Sequence, residues 1–177
     1  MKILRKHFPL DLVERNPRNV GKTNIPPIIE DFQSGQKTAK KAAAILVSKN
    51  LGFIVPTARQ KLNLLIAFAK KNKVVYGKAF DIIRVSEPVL LDDLAELEQN
   101  LHKVTIFEIK STKKNLKSDF SSFFFALTGA EVLVAQSLKK QFKFALVNTS
   151  TTEHVEMDLA EIFARAKGIY PTWSILI

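Results

Sequence analysis

The sequence predicts an α/β domain in which a central mixed β-sheet is flanked by helices. Three observations predict it. Runs rich in β-branched and aromatic residues at 74–85, 104–110, 142–148 and 154–157 alternate with helix-like runs. Four helix starts carry a local capping pattern, at Thr57/Gln60, Asp93/Glu96, Thr128/Glu131 and Asp158/Glu161. The chain of 177 residues is 46% hydrophobic and 25% charged, the balance of a globular domain long enough to bury one core.

Taken in order, residues 1–33 read as an irregular arm, interrupted by Pro9, Pro17, Pro26 and Pro27, with a short helix near Ile28–Phe32. The single domain then spans 34–177. Ser34 is placed to cap a helix from Gln36 to Asn50, stopped by Asn50 and Gly52, with Ala42, Ile45 and Leu46 toward a core. The Thr57 box opens a helix to about Lys70, with Leu62, Leu65, Ile66 and Ala69 expected inside. Val74–Val85 reads as one or two strands, with Gly77 at a turn or bulge. A short helix follows Asp93 to about Leu101, and Val104–Lys110 is a strand. Phe123–Leu127 reads as a further strand or an extended run. The remainder is a helix over Ala130–Lys140, a buried strand over Phe142–Asn148, a short strand over His154–Met157, and a last helix from Asp158 closed by Gly168.

Composition removes several chemistries. There is no cysteine, which excludes disulfides, thiol catalysis and Cys-ligated metals, and the three histidines are scattered. No apolar run reaches the roughly 18–20 residues of a membrane span. The opening MKILRKHFPLDLVERNPRN is charged throughout, unlike a secretory leader. A soluble, cytoplasmic protein without a membrane partner is the expectation. Twenty-seven Lys and Arg against 17 Asp and Glu leave a net charge of +10, which points to a polyanion such as nucleic acid.

The stretch that carries chemistry is Val104–Thr112. On a strand, Val104, Ile106, Glu108 and Lys110 share one face, and Thr105, Phe107 and Ile109 share the other. Two apolar residues thus lead to an acid and a base at the strand's C-terminal end, where ligands commonly bind in open α/β sheets. A carboxylate there can hold a hard cation, and an ammonium two residues on can face the same phosphate. The pair suits metal-assisted phosphodiester cleavage. Asp81 lies in a strand-like apolar segment, where a carboxylate needs a reason such as a cation. Asp92 and Asp93 are the alternatives, although capping explains Asp93. Glu131 is accounted for as a cap partner, and Gln136, on the helix after the motif, reads equally as a residue facing the site or as a surface glutamine.

Phe107–Thr112, followed by the helix and strand over Ala130–Asn148, resembles the core of the PD-(D/E)XK nuclease superfamily, which includes many type II restriction endonucleases. The resemblance covers about residues 36–148 and is tightest over 104–148. It implies a restriction-endonuclease-like fold and a Mg²⁺-dependent (or Mn²⁺-dependent) DNA endonuclease. Glu108 and an upstream acid, Asp81, would hold the metal together with the backbone carbonyl of Ile109, and Lys110 would be the catalytic lysine. The family's Pro-Asp dipeptide is missing here, and Glu30 is the nearest candidate for an extra acid from the first helix. Lys113, Lys114 and Lys117 follow the motif and are candidates to hold phosphates, joined by Lys37, Lys40 and Lys41. One E-x-K gives one cutting centre, so double-stranded DNA implies a homodimer, with the apolar end Ile169–Ile177 as an interface candidate or part of the core. The alternatives are a non-catalytic nucleic-acid-binding module and an inactive nuclease-fold interaction subunit. Phe120, Phe123, Phe124 and Phe125 read either as core or as a base-stacking run.

Overall fold

The computed structural model describes the backbone of residues 31–170 and the side chains of 38–170. The arm over 1–30, Glu30, the Lys37 side chain and Trp173 lie outside the described residues.

The first element, α1, spans Asp31–Ser48, so the helix is already formed at residues 31–33 and Ser34 lies within it rather than capping it. Asn50 and Gly52 end this segment in left-handed backbone, at φ +56° and +79°. Only glycine fits at position 52, where a Cβ would lie 2.5 Å from the Val85 carbonyl oxygen. That close approach lets β1 (Phe53–Ile54) pair antiparallel with β2 (Ile82–Val85).

Helix α2 (Ala58–Lys70) opens on the expected capping box between Thr57 and Gln60. Its buried residues are Leu64, Ala67 and Phe68, whereas Leu62 and Ala69 are exposed and Leu65 and Ile66 only half-buried. The helix is turned by about one position from the expected face, because Phe68 offers more area to bury than Ala69. Residues 74–81 form no strand, and Gly77 sits in a turn. Asp93 caps α3 (Leu94–Gln99), accepting from the Ala95 and Glu96 amides.

Strand β3 (Val104–Thr112) is the longest and lies at the centre, pairing antiparallel with β2 and parallel with β4 (Phe142–Asn148). A parallel neighbour requires a crossover, supplied by α4 (Gly129–Leu138) after its Thr128/Glu131 box. Residues 123–127 form no strand within this crossover. β5 (His154–Met157) returns antiparallel to β4, and α5 (Leu159–Arg165) ends three residues before Gly168. The sheet is therefore mixed and five-stranded, in the order β1-β2-β3-β4-β5.

Alternation along β3 divides the core as expected. Val104 and Ile106 pack with Phe142, Phe144, Leu64, Phe68, Leu97 and Val134 under α2, α3 and α4. Phe107 and Ile109 face Ala42 and Leu46 of α1 on the other side. Among the described residues, no helix is long and apolar enough to cross a membrane.

Candidate active site

Because β2 runs antiparallel to β3, the start of β2 lies beside the C-terminal end of β3. The Asp81 amide donates to the Phe107 carbonyl at 2.9 Å, extending the ladder one rung beyond the Ile82–Phe107 pair. The Asp81 carboxylate then turns back and accepts the Ile109 amide at 3.0 Å through Oδ2. Asp81 is thereby fixed against the residue between Glu108 and Lys110. The N–H and C=O of an extended residue point the same way, so the Ile109 carbonyl faces the edge that Asp81 occupies. Asp81 also stands two residues before Ile83, which lies in the core beneath α2. It therefore shares a sheet face with Glu108 and Lys110.

Lys110 is held between two carboxylates. Its Nζ lies 3.0 Å from Glu108 Oε1 and 2.9 Å from Glu131 Oε2. All three side chains are largely buried, with 13%, 11% and 6% exposure for Lys110, Glu108 and Glu131. Glu131 serves two purposes. As the third residue of α4 its Oε2 accepts the Thr128 amide at 3.0 Å, completing the capping box, and the same oxygen takes the Lys110 ammonium. The capping pattern is enough to explain an acid at this position, so the sequence offers no second signal for the contact with Lys110. Such a triad contributes little to stability compared with apolar packing of equal volume, which makes it a candidate for function.

The electrostatics agree. Burial pushes Glu108 up to about 8, and the neighbouring charges of Asp81 and Glu131 act in the same direction, while Lys110 opposes them. Two carboxylates so placed are stabilised in their charged forms by a cation between them. Among the described residues, no three His, Cys, Asp or Glu side chains are grouped to hold a metal. Magnesium asks for less, since one or two carboxylates suffice with waters and substrate oxygens. Asp81, Glu108 and the Ile109 carbonyl fit that donor set.

The alternative acids are engaged elsewhere. Asp92 accepts from Gln60 Nε2 at 2.8 Å, and Asp93 caps α3. Gln136 is exposed. Lys113, Lys114 and Lys117 are exposed on the segment leaving β3. Lys40 and Lys41 are exposed on α1, which covers the sheet face opposite Glu108 and Lys110, so the fold does not gather the two lysine groups. Lys61, which the sequence did not single out, reaches from α2 to the carbonyl of Phe80, the residue before Asp81, at 3.0 Å. It also stacks over the Phe80 ring at 4.7 Å. Surface hollows lie away from this site, one along β5 and α5 and one beside Phe68, Glu98 and His102. Neither of these two is lined by Asp81, Glu108 or Lys110. Comparison with protein-family models, curated proteins and solved structures returns no match.

Proposed function

We propose that the protein is a Mg²⁺-dependent DNA endonuclease related to the PD-(D/E)XK nucleases. The observation that carries this reading is the convergence of Asp81, Glu108 and Lys110 at one end of the sheet through the Asp81–Ile109 and Lys110–Glu108 contacts. The element order supports it. The helix and strand that the resemblance places after Phe107–Thr112 are present as α4 and β4. Phe80 stands where the family has proline, and the Asp81 amide bond to Phe107 fixes the aspartate without it.

In this reading Asp81, Glu108 and the Ile109 carbonyl hold the cation. When bound, Mg²⁺ polarises a phosphate oxygen and lowers the pKa of a water. Lys110 orients the attacking water and offsets charge that develops on the phosphate. Glu131 anchors Lys110 and would hold the ammonium in place if Glu108 were engaged by a cation. Lys61 and the lysines after β3 supply phosphate contacts. For double-stranded breaks the active form is a homodimer, because each chain carries one such centre.

The test is incubation of supercoiled plasmid with the protein in Mg²⁺ and in EDTA, beside Glu108→Ala and Lys110→Ala. Cleavage that needs Mg²⁺ and is abolished in both variants supports the reading. Plasmid binding without cleavage at any divalent cation concentration would favour the non-catalytic binding module.

A further inference from the structure

The segment joining β3 to α4, residues 113–128, begins three residues after Lys110 and ends at Thr128, whose amide bonds the same Glu131 oxygen that holds Lys110. Both its ends are therefore tied to the candidate active site. Loops of this length without regular structure are commonly functional.

Its phenylalanines are not alike. Phe120 is buried, and Phe123 and Phe125 pack against the core, their rings 5.2 Å apart. Phe124 points the other way and is 77% exposed. The turn that sets this alternation is strained, with φ +57° at Phe120 and +69° at Ser122, a conformation that persists only where surrounding contacts fix it. Those contacts are the burial of Phe120, the Asp119 carboxylate accepting the Ser121 amide at 2.9 Å, and Arg165 donating to the Asp119 carbonyl. Beyond α5, Tyr170 lies 6.3 Å from the Phe124 ring at 55° and is itself 73% exposed. The two rings pair, and among the described residues both are largely exposed. The same two segments carry cationic side chains. Lys117 and Arg165 both act on Asp119, whose carboxyl is held below the usual range chiefly by its bonds to Ser121. Lys167 is exposed between α5 and Tyr170.

We propose that Phe124 and Tyr170 form a stacking platform for an unpaired nucleobase, with Lys117, Arg165 and Lys167 taking the flanking phosphates. Open aromatic faces beside cationic side chains are what single-stranded nucleic acid binds, whereas a base inside a duplex offers no free face unless it is flipped out. With the platform on a loop rooted at Lys110 and Glu131, the substrate is DNA with unpaired bases near the scissile bond, such as a gap, flap or bubble. The substrate class rests on the nuclease reading. The stacking site does not.

The experiment uses the full chain in EDTA with oligonucleotides carrying 2-aminopurine in a single-stranded gap or within intact duplex. Strong quenching is expected in the gap and little in duplex. Phe124→Ala and Tyr170→Ala should each weaken gap binding about tenfold, within the range measured for removal of one base–aromatic stack, and leave duplex binding and the far-UV circular dichroism unchanged. Gap binding by Phe124→Ala equal to that of the unmodified protein would overturn the proposal. So would light scattering in which Phe124→Ala converts a dimer to monomers, since the rings would then be covered by a second copy. Metal-dependent plasmid cleavage together with an inert Phe124→Ala would reject the platform and keep the nuclease. Gap-specific quenching without cleavage would do the reverse.

Discussion

Replacing Glu108 by glutamine should change how stability depends on pH. An unfolded glutamate titrates near 4.5, and in the fold burial and the Asp81 charge carry Glu108 to about 8. Between these values the native state holds a proton that the unfolded chain has released. The contribution is therefore fully present below about 4.5 and is lost as pH rises through about 8. At 1.36 kcal/mol per unit, the whole interval is worth at most about 5 kcal/mol. Glutamine imitates the protonated carboxyl and lacks this dependence. Urea unfolding followed by circular dichroism, at a pH near 5 and again near 8.5, measures it. Relative to Glu108→Gln, the unmodified protein should lose a few kcal/mol between the two conditions. Millimolar Mg²⁺ should restore part of that loss at the higher pH, in the unmodified protein only, because a ligand that binds the native state stabilises it. An equal stability difference at both pH values would refute the electrostatic account of the site.

Glu131→Gln retains an acceptor for the Thr128 amide and removes the negative charge that faces Lys110, whereas Glu131→Ala removes both the acceptor and that charge. Plasmid cleavage should fall sharply in both variants, while thermal unfolding should separate them, alanine being the less stable by about 1 kcal/mol for the missing cap. Changing Lys113, Lys114 and Lys117 together to alanine should lower the steepness of log K against log salt by about 2–3 in fluorescence anisotropy with duplex DNA, about 0.9 for each phosphate no longer neutralised. Gly52→Ala should destabilise the fold by more than about 1 kcal/mol in denaturant unfolding, because its φ of +79° and the 2.5 Å approach to the Val85 carbonyl both oppose a Cβ.

What the sequence made legible was local. The capping boxes at Thr57, Thr128 and Asp158 need only residues three apart, and the structure forms each of them. Strands β4 and β5 begin and end where their β-branched and aromatic runs do. What depends on a distant partner was not legible. β1 is two residues that become a strand only through Arg84 and Ile83 of β2. Val74, Val75 and Tyr76 have strand propensity, yet the ladder on that side of β3 closes at Asp81. At the site, the alternation along β3 singles out Glu108 and Lys110, which are in contact, and the oddity of an acid at position 81 singles out Asp81, which accepts the Ile109 amide between them. Glu131 reads from the sequence as a cap partner alone, and its contact with Lys110 is not legible there, nor is that of Lys61 with the Phe80 carbonyl, because only the fold carries α2 to Phe80. The phenylalanine run divides between core and surface through a turn whose positive φ values at Phe120 and Ser122 no sequence pattern announces.

The central claim is that the sheet edge formed by Asp81, Glu108 and Ile109 is a divalent-cation site served by Lys110. Anomalous diffraction from crystals soaked in Mn²⁺ tests it most directly. The account predicts an anomalous peak with Asp81 and Glu108 oxygens among its ligands, and Lys110 still bonded to Glu131. A Lys110 bridging both glutamates unchanged, with no Mn²⁺ at this edge and Mn²⁺ bound elsewhere on the chain, would contradict it.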